Sequence, residues 1–283
     1  QELREQSKAE VFALNNDMCP AHRNKVLNTV KERLKQKRKV ILVSTSLIEA
    51  GVDISFAGGI RSLAGLDVIT QTAGRINRNN ELPLSSLWII NADSELENIS
   101  KMESLISSQK SVNALLDDYR DQPKVYENKI EGKIMLEKYF LEFYKDTKTN
   151  KEALYPLRKK SKNPLYIAEL LGNNNNVIGD RGKSKRKGLF QSVLRQSFYT
   201  AGSEYQPIDE NSIDILVPFE KGEELIRKLN ADSSPAEKAK LLRNSSYYSI
   251  SVYQHIFNNL SDSGALIEIE FFDQTVYALK SQF

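Results

Sequence analysis

The sequence is poor in the residues that build disulfides and soft metal sites. It has 283 residues but one cysteine, Cys19, and two histidines, His22 and His255. A single cysteine excludes an internal disulfide and a cysteine-based zinc site. Two distant histidines do not make a histidine-rich metal cluster, so we expect no metal site and a reducing, cytoplasmic setting.

Long apolar runs are also lacking. No run approaches the roughly 18 apolar residues that suggest a transmembrane helix, and the polar N-terminus does not resemble a signal peptide. We therefore expect no membrane partner. The 40% hydrophobic and 27% charged residues are typical of a globular protein, and the length suits about two domains.

Positive charge is concentrated in one stretch. The whole chain carries a net charge of +3, whereas residues 158–195 alone carry +8. This stretch is either a solvated loop or a connector that faces nucleic acid, and the second alternative predicts salt-dependent binding of single-stranded DNA. The nearby aromatic residues Phe190, Phe198 and Tyr199 can either stack on bases or pack in the core, and for each alone we expect core packing.

Strand and helix signals alternate over the first hundred residues. Apolar runs at 11–14, 40–43 and 87–90 predict buried strands, the last with Trp88 in the core. Helices are predicted from Pro20, the usual first helical position for proline, and over 66–78. Such alternation predicts an α/β domain with a parallel sheet.

The pattern changes after residue 100. Helices are predicted over 99–119 and 130–144, before the basic stretch. Four strands, at 213–217, 248–253, 266–272 and 276–279, and a helix over 220–229 then predict a small α+β domain. We therefore divide the chain into an α/β domain (1–100), a helical and basic connector (101–195) and a C-terminal accessory domain (196–283).

The first motif that suggests chemistry is STSLIEAGVDI, residues 44–54, directly after the predicted strand at 40–43. Ser44 and Thr45 lie where a strand gives way to a helix, and there they can present hydroxyls and backbone N–H groups to a phosphate or simply cap the helix. Gly51 permits a positive φ or a close approach of backbone. Asp53 can accept hydrogen bonds from ribose hydroxyls or cap a turn.

The second motif is QTAGRINR, residues 71–78. If the predicted helix continues through it, Arg75 and Arg78 lie on one helical face. Two guanidinium groups on one face suit a triphosphate whose γ-phosphoryl group gains charge in the transition state. The alternative is that both arginines belong to a solvated helix face.

In this order and spacing, the two motifs resemble motifs V and VI of superfamily 2 helicases. Residues 11–95 most closely resemble the CRISPR-associated helicase-nuclease of type I systems, with Asn77 between the two arginines as a family feature. The connector and tail resemble that family only in arrangement and in the segment IDILVP at 213–218. The resemblance implies the second of two RecA-like motor domains.

The resemblance also implies roles for individual residues. Gln71, Arg75 and Arg78 would face the triphosphate of ATP, and the first motor domain would largely hold the magnesium ion. Gly51, Asp53 and Gly74 would lie beside the nucleotide. Ser44, Thr45 and, more loosely, Arg23 would contact single-stranded DNA, and a Cascade-type surveillance complex would be the protein partner.

Two parts of a complete motor are not found in the sequence. A phosphate-binding loop needs GxxxxGK[ST], but Val177 stands where Gly182-Lys183-Ser184 would require the first glycine. An Asp-Glu box after a strand and a His-Asp nuclease site are lacking as well. We expect a C-terminal half that is inactive without its N-terminal nuclease and motor domains.

Two other functions fit the sequence. One is a different superfamily 2 helicase or translocase, such as a repair or remodelling motor with an unrelated tail. The other is a non-enzymatic DNA-binding or docking module built on a degenerate motor domain. A Walker A loop and an Asp-Glu box in the upstream sequence would favour a motor, and their absence there would favour the module.

Overall fold

The fold was analysed in a computed structural model. It describes residues 8–49, 51–92, 98–100, 102–145, 154–157, 165–172, 196–205, 212–231, 234–271 and 274–281. By their contacts the residues form two compact units, one of 1–58, 74–86 and 209–283, and the other of 59–73 and 87–208. The three-part division of the sequence stays a prediction.

The chain begins with a parallel βαβ element, as predicted. Strand β1 (Glu10–Leu14) pairs in parallel with β2 (Val40–Ser44), and helix α1 (Pro20–Lys35) connects them. Pro20 starts the helix, and Leu14 and Val30 are almost fully buried, at 1% and 0% exposure. The register runs from Glu10 opposite Val40 to Leu14 opposite Ser44, so both strands end at the same edge.

The next segments differ from the prediction. A 3₁₀ turn (Ser46–Ile48) follows β2, and then come β3 (Gly58–Ser62), α2 (Leu66–Ala73) and β4 (Ser86–Ile90). The predicted helix over 66–78 was wrong at its C-terminal end, because α2 stops at Ala73. Gly74 is a poor helix former and Asn77 adopts a positive φ of 45°, so the main chain cannot remain helical there.

The burial predicted for the third strand was also wrong. Among the described strands, β4 pairs with β3 alone. One face of this two-stranded sheet is therefore open to solvent, and Trp88 and Ile60 are 68% and 73% exposed. Trp88 is not a core residue.

The second unit is mainly helical around its own core. Its helices are α3 (Glu103–Asp121) and α4 (Lys133–Lys145), joined through a 3₁₀ turn (Pro123–Tyr126). A short hairpin, β5 (Pro156–Leu157) with β6 (Leu165–Tyr166), and helices α5 (Ile167–Leu171) and α6 (Phe198–Glu204) follow. Seven buried side chains form the core of this unit, namely Leu63, Leu66, Val112, Leu115, Tyr126, Met135 and Tyr139.

The basic stretch falls largely outside the described residues. None of its ten basic residues is described, so the DNA-facing connector stays a prediction, as does the position of Phe190. Phe198 and Tyr199 are described on α6, where they are 65% and 89% exposed. The expectation that these two rings pack in the core was wrong.

The last seventy residues contain the four predicted strands and the predicted helix, together with two helices, Pro235–Leu242 and Gln254–Asp262, that were not predicted. Helices α7 (Lys221–Asn230), α8 (Pro235–Leu242) and α9 (Gln254–Asp262) accompany strands β7 (Ser212–Leu216), β8 (Ser249–Tyr253), β9 (Leu266–Phe271) and β10 (Gln274–Leu279), with a 3₁₀ turn at Ser245–Tyr248. The sheet order is β8-β7-β10-β9, parallel only between β7 and β10. Leu216, Leu225, Leu229 and Ala278 form the centre of its core.

Within the first unit, the C-terminal residues pack directly on α1. The His22 ring stacks on Phe219, with ring centroids 4.4 Å apart and planes at 19°. Lys25 forms an ion pair with Glu220, and its ammonium lies 5.7 Å from the Phe219 ring centroid. Glu220 adopts a φ of 49°, so an unfavourable backbone conformation is fixed at this contact.

In the part of the chain that the structure describes, no helix is long and apolar enough to span a bilayer.

Candidate nucleotide and DNA site

The first motif and residues 74–78 of the second motif lie side by side in the first unit. Phe56, just after the first motif, forms an isolated parallel bridge with Ile76 of the second. The Phe56 N–H donates to the Arg75 carbonyl at 2.9 Å, and the Asn77 N–H donates to the Phe56 carbonyl at 2.7 Å. Segments distant in sequence are therefore joined through their main chains.

Arg75 strengthens this junction with its side chain. Its Nε donates to the Ile48 carbonyl at 3.2 Å, and its Nη2 donates to the Glu49 carbonyl at 2.9 Å. These two carbonyls lie at the end of the 3₁₀ turn of the first motif, where helical acceptors commonly lack an intrahelical donor. The half-buried Arg75 therefore positions the first motif from the second.

Arg78 has a different environment. Its Nη1 lies 3.2 Å from Asp53 Oδ1, and the two side chains are 41% and 83% exposed. Because exposed ion pairs contribute only about 0–1 kcal/mol, an anionic ligand can displace the Asp53 carboxylate at little cost. The prediction that both arginines lie on one helical face was wrong, since the helix has ended before either of them.

Asn77 shapes the loop between and beyond the arginines. It combines its positive φ of 45° with two hydrogen bonds to the main chain of Leu82. Its Nδ2 donates to the Leu82 carbonyl at 2.7 Å, and its Oδ1 accepts from the Leu82 N–H at 2.9 Å. Asparagine adopts positive φ more readily than most residues. Asn77 therefore allows the chain to turn between the two arginines.

The predicted nucleotide-binding glycine Gly51 has a conformation that suits glycine. Its φ is 72°, and nothing lies within 4 Å of the position that a Cβ would occupy. The backbone beside Asp53 is therefore open to a ligand. Gly74 and Gln71 are exposed, Gln71 on α2, and nothing in the structure tests their predicted roles.

The predicted DNA contacts gather around the C-terminal edge of β1 and β2. Thr45 is exposed at the N-terminus of the 3₁₀ turn without capping it, and its N–H donates to the Leu14 carbonyl at 3.1 Å. Ser44 Oγ donates to the Thr45 carbonyl at 2.8 Å. The Thr45 hydroxyl is thus available to an external group, whereas the Ser44 hydroxyl is already used.

Arg23 lies near the start of α1, which follows the same strand edge in sequence. Its Nε and the Oδ1 of Asn15 are buried, and neither has a hydrogen-bond partner among the described residues. Buried polar atoms are normally paired, so these two atoms are exceptions near the proposed DNA contact. No group of three histidine, cysteine or acidic side chains that could hold a metal ion occurs within the described ranges.

Comparison with known proteins places these motifs in a family context. Residues 1–81 match a family described as "CRISPR-associated nuclease/helicase Cas3, C-terminal". A curated protein of this name from Methanothermobacter thermautotrophicus is 28% identical over 151 residues, which are 47% of this chain and 18% of that protein. Another from Haloferax volcanii is 38% identical over 71 residues, 25% of this chain and 8% of that protein.

Solved structures agree in fold. The crystal structures of T. fusca Cas3-ADP and T. fusca Cas3-AMPPNP match with TM-scores of 0.54 and 0.52 at 12% and 11% identity. The matches cover 98% and 94% of this chain, and 33% and 31% of the other chains. This chain thus spans less than a fifth of the two curated relatives and about a third of the solved chains.

Proposed function

We propose that this chain is the C-terminal part of an ATP-dependent single-stranded DNA translocase of type I CRISPR interference. Residues 1–81 match the C-terminal family of the Cas3 nuclease/helicase, and two curated proteins of that name are similar to parts of the chain. It supplies the second RecA-like motor domain, the connector and the accessory domain. The N-terminal nuclease and motor domains would complete the enzyme. By itself the chain would hydrolyse no ATP.

The observation that carries this proposal is the partly exposed Arg78 beside the first motif. Its guanidinium is paired with Asp53 in a contact that an incoming anion can replace. In the complete protein, Arg78 would leave Asp53 and donate to the γ-phosphate. This releases the Asp53 carboxylate to accept hydrogen bonds from ribose hydroxyls.

Arg75 would act mainly by position. Its bonds to the Ile48 and Glu49 carbonyls hold the two motifs together. Gly51, Asp53 and Gly74 would line the nucleotide. ATP supplies the phosphoryl group whose transfer to water provides the free energy, with a magnesium ion held mainly by the N-terminal motor domain.

The DNA strand would lie along the C-terminal edge of β1 and β2. The exposed Thr45 hydroxyl is suited to donate to a phosphate oxygen, and Arg23 would add its positive charge near the start of α1. Thr45 follows β2 directly, and Ile48 and Glu49 lie within the same motif. Closure on ATP would therefore reposition the DNA contact together with the arginines.

The experiment uses the complete protein with Arg78→Ala. The loss of an arginine finger lowers turnover by roughly 10³–10⁵, so ATP hydrolysis should fall by at least about a thousandfold while affinity for single-stranded DNA stays unchanged. Arg120→Ala is the matched control, because Arg120 forms a similar exposed pair with Asp117 at 3.0 Å. Normal ATP hydrolysis by the Arg78→Ala variant would contradict the proposal.

A second measurement separates the motor from a binding module. Thr45→Ala and Arg23→Ala should weaken DNA binding and reduce the stimulation of hydrolysis by DNA, without loss of basal hydrolysis. A complete protein that binds DNA but never hydrolyses ATP would instead be a non-enzymatic module.

Recruitment by a Cascade-type surveillance complex would be measured by co-purification of the complete protein on target DNA.

A further inference from the structure

The C-terminal part of the chain contains a groove that the motor motifs do not use. Its volume is about 410 Å³, and it lies between α7 and the 3₁₀ turn Ser245–Tyr248, beside the end of α8. Ligand sites in proteins commonly occupy about 300–1,000 Å³. The groove is therefore large enough for a ligand the size of one nucleotide.

The groove walls carry an excess of positive charge. Lys221, Lys228 and Arg243 line it together with one carboxylate, Glu224. Glu224 pairs with Lys228 at 2.7 Å. Lys221 and Arg243 have no carboxylate oxygen of the described residues within 4.0 Å. Two cations therefore remain to attract an anion.

The same groove presents an aromatic ring and an apolar wall. Leu225 and Leu241 contribute apolar surface, and Tyr247 is 46% exposed. The Tyr247 ring meets Tyr248 edge-on, with centroids 5.8 Å apart, and its hydroxyl accepts from Asn24 Nδ2 at 2.5 Å. The ring is thus fixed in orientation while a large part of it stays accessible.

We propose that this groove binds a nucleotide unit, with its phosphate on Lys221 and Arg243 and its base against Tyr247. Cations beside an accessible aromatic ring are the combination that binds unpaired nucleotides, since the cations attract phosphate and every base can stack. The nucleotide unit can come from a single-stranded DNA chain or from a free mononucleotide. An acidic peptide would also meet the cations but would not need the ring.

The position of Tyr247 favours the strand as the source. Asn24, which binds its hydroxyl, is adjacent in sequence to Arg23, a proposed DNA contact on α1. A strand that leaves Arg23 would therefore find the groove next along the surface of the same unit. This choice of source rests on the proposed function, but binding in the groove requires no ATP hydrolysis.

The test measures binding of fluorescein-labelled oligothymidylate to the 283-residue chain by anisotropy, at salt concentrations between about 50 and 200 mM. The double variant Lys221→Gln/Arg243→Gln should bind more weakly. The slope of log K against log salt should shrink by about 0.7, because one phosphate is neutralised in the groove and each neutralised phosphate of a single strand contributes about 0.7. Arg227→Gln, on the same helix but outside the groove, should leave both affinity and slope unchanged.

A second pair of variants tests the ring. Tyr247→Ala should weaken binding at least about fivefold through loss of stacking. Tyr247→Phe keeps the ring and loses only the bond from Asn24, so it should bind like the parent chain. Equal weakening by both variants would indicate a structural role of the hydroxyl and overturn the proposed stacking.

Competition identifies the source of the nucleotide. If free thymidine monophosphate displaces the labelled strand only at far higher concentration than unlabelled oligothymidylate, the strand is the ligand. Similar potency per nucleotide would assign the groove to a free nucleotide. Unchanged strand binding by the double variant, together with no mononucleotide binding by the parent chain, would overturn the proposed groove and leave the Arg78 experiment to test the motor.

Discussion

Asp53 and Arg78 form an ion pair between the two motifs, with Oδ1 and Nη1 3.2 Å apart on an exposed surface. Arg75, three residues before Arg78, instead donates to two main-chain carbonyls. Two arginines that are equivalent in the sequence pattern thus have unequal environments. One positions the backbone, and the other can be released to a ligand.

The difference between the two arginines predicts unequal effects on stability. Arg75→Ala should lower the free energy of unfolding by about 2 kcal/mol, because hydrogen bonds from a charged donor contribute roughly 1.5–3 kcal/mol. Arg78→Ala should cost no more than about 1 kcal/mol, the usual range for an exposed pair. Amide hydrogen exchange at Phe56 and Asn77, whose N–H groups bridge the motifs, provides the local measurement. Similar acceleration in both variants would contradict the assignment.

The positive φ of Gly51 predicts that a substitution there lowers stability through backbone strain alone. Gly51→Ala should destabilise the chain by roughly 1–2 kcal/mol, since a Cβ at a φ of 72° is strained. No atom lies within 4 Å of that Cβ position, so steric overlap contributes nothing. Urea unfolding monitored by circular dichroism would measure the change.

Gly202 provides the matched control for Gly51. A Cβ there also meets nothing within 4 Å, but Gly202 lies in helix α6. Gly202→Ala should therefore stabilise the chain by up to about 1 kcal/mol through helix propensity. Destabilisation by both substitutions would show that open space around the Cβ does not decide the outcome.

Tyr139 predicts a loss of stability at alkaline pH. Burial, with the nearby negative charge of Asp67 as the next cause, raises the pKa of the Tyr139 hydroxyl well above its usual value of 10.0. Above pH 10 the unfolded chain loses this proton while the folded chain keeps it. The free energy of unfolding should therefore be unaffected by Tyr139 below about pH 10 and decrease as pH rises further.

Thermal unfolding of the parent chain and of Tyr139→Phe between pH 8 and about 11 would measure this dependence. The variant should show a shallower decrease, because one group that keeps its proton on folding has been removed. Burial and the Asp118 carboxylate also raise the pKa of Tyr126, so some dependence should remain in Tyr139→Phe. Identical pH profiles would contradict the prediction.

The stack between His22 and Phe219 predicts that α1 and the C-terminal residues of the first unit unfold together. Phe219→Ala removes the stacked ring and the ring that faces Lys25. A loss of about 1 kcal/mol or more is expected, because aromatic pairs contribute roughly 0.5–1.5 kcal/mol beyond burial. Hydrogen exchange should accelerate in α1 as well as in α7. Phe219→Tyr keeps the ring and should behave like the parent chain.

Much of the fold could be predicted from local patterns. The runs at 11–14 and 40–43 lie in parallel strands, and Pro20 starts the helix between them. The C-terminal strands also appear where alternation of apolar and polar residues predicted them. In these segments the local preference and the final packing agree.

The end of α2 was missed although the sequence contains a signal for it. Gly74 directly follows the last helical residue, a position that glycine favours. The arginine spacing of three residues suggested a continuing helix and outweighed that signal. The contacts of Arg75 could not be predicted, because its acceptors are main-chain carbonyls about 26 residues earlier, which carry no mark in the sequence.

Trp88 was misplaced for another reason. A continuous apolar run is typical of a strand covered on both faces, and the run at 87–90 has that composition. Coverage depends on which strands lie alongside, and β3, the partner of β4 among the described strands, contains two glycines and an arginine. A one-dimensional pattern specifies a strand more reliably than it specifies the neighbours of that strand.

The bridge between Phe56 and Ile76 has a mechanical consequence. Two main-chain hydrogen bonds join the arginine segment to Phe56, and the Arg75 side chain joins it to the end of the 3₁₀ turn at Ile48. A displacement of Arg78 would therefore be transmitted through these hydrogen bonds to the first motif. Loss of these hydrogen bonds would let the first motif and the arginine segment move independently, even if every side chain that contacts a ligand were unchanged.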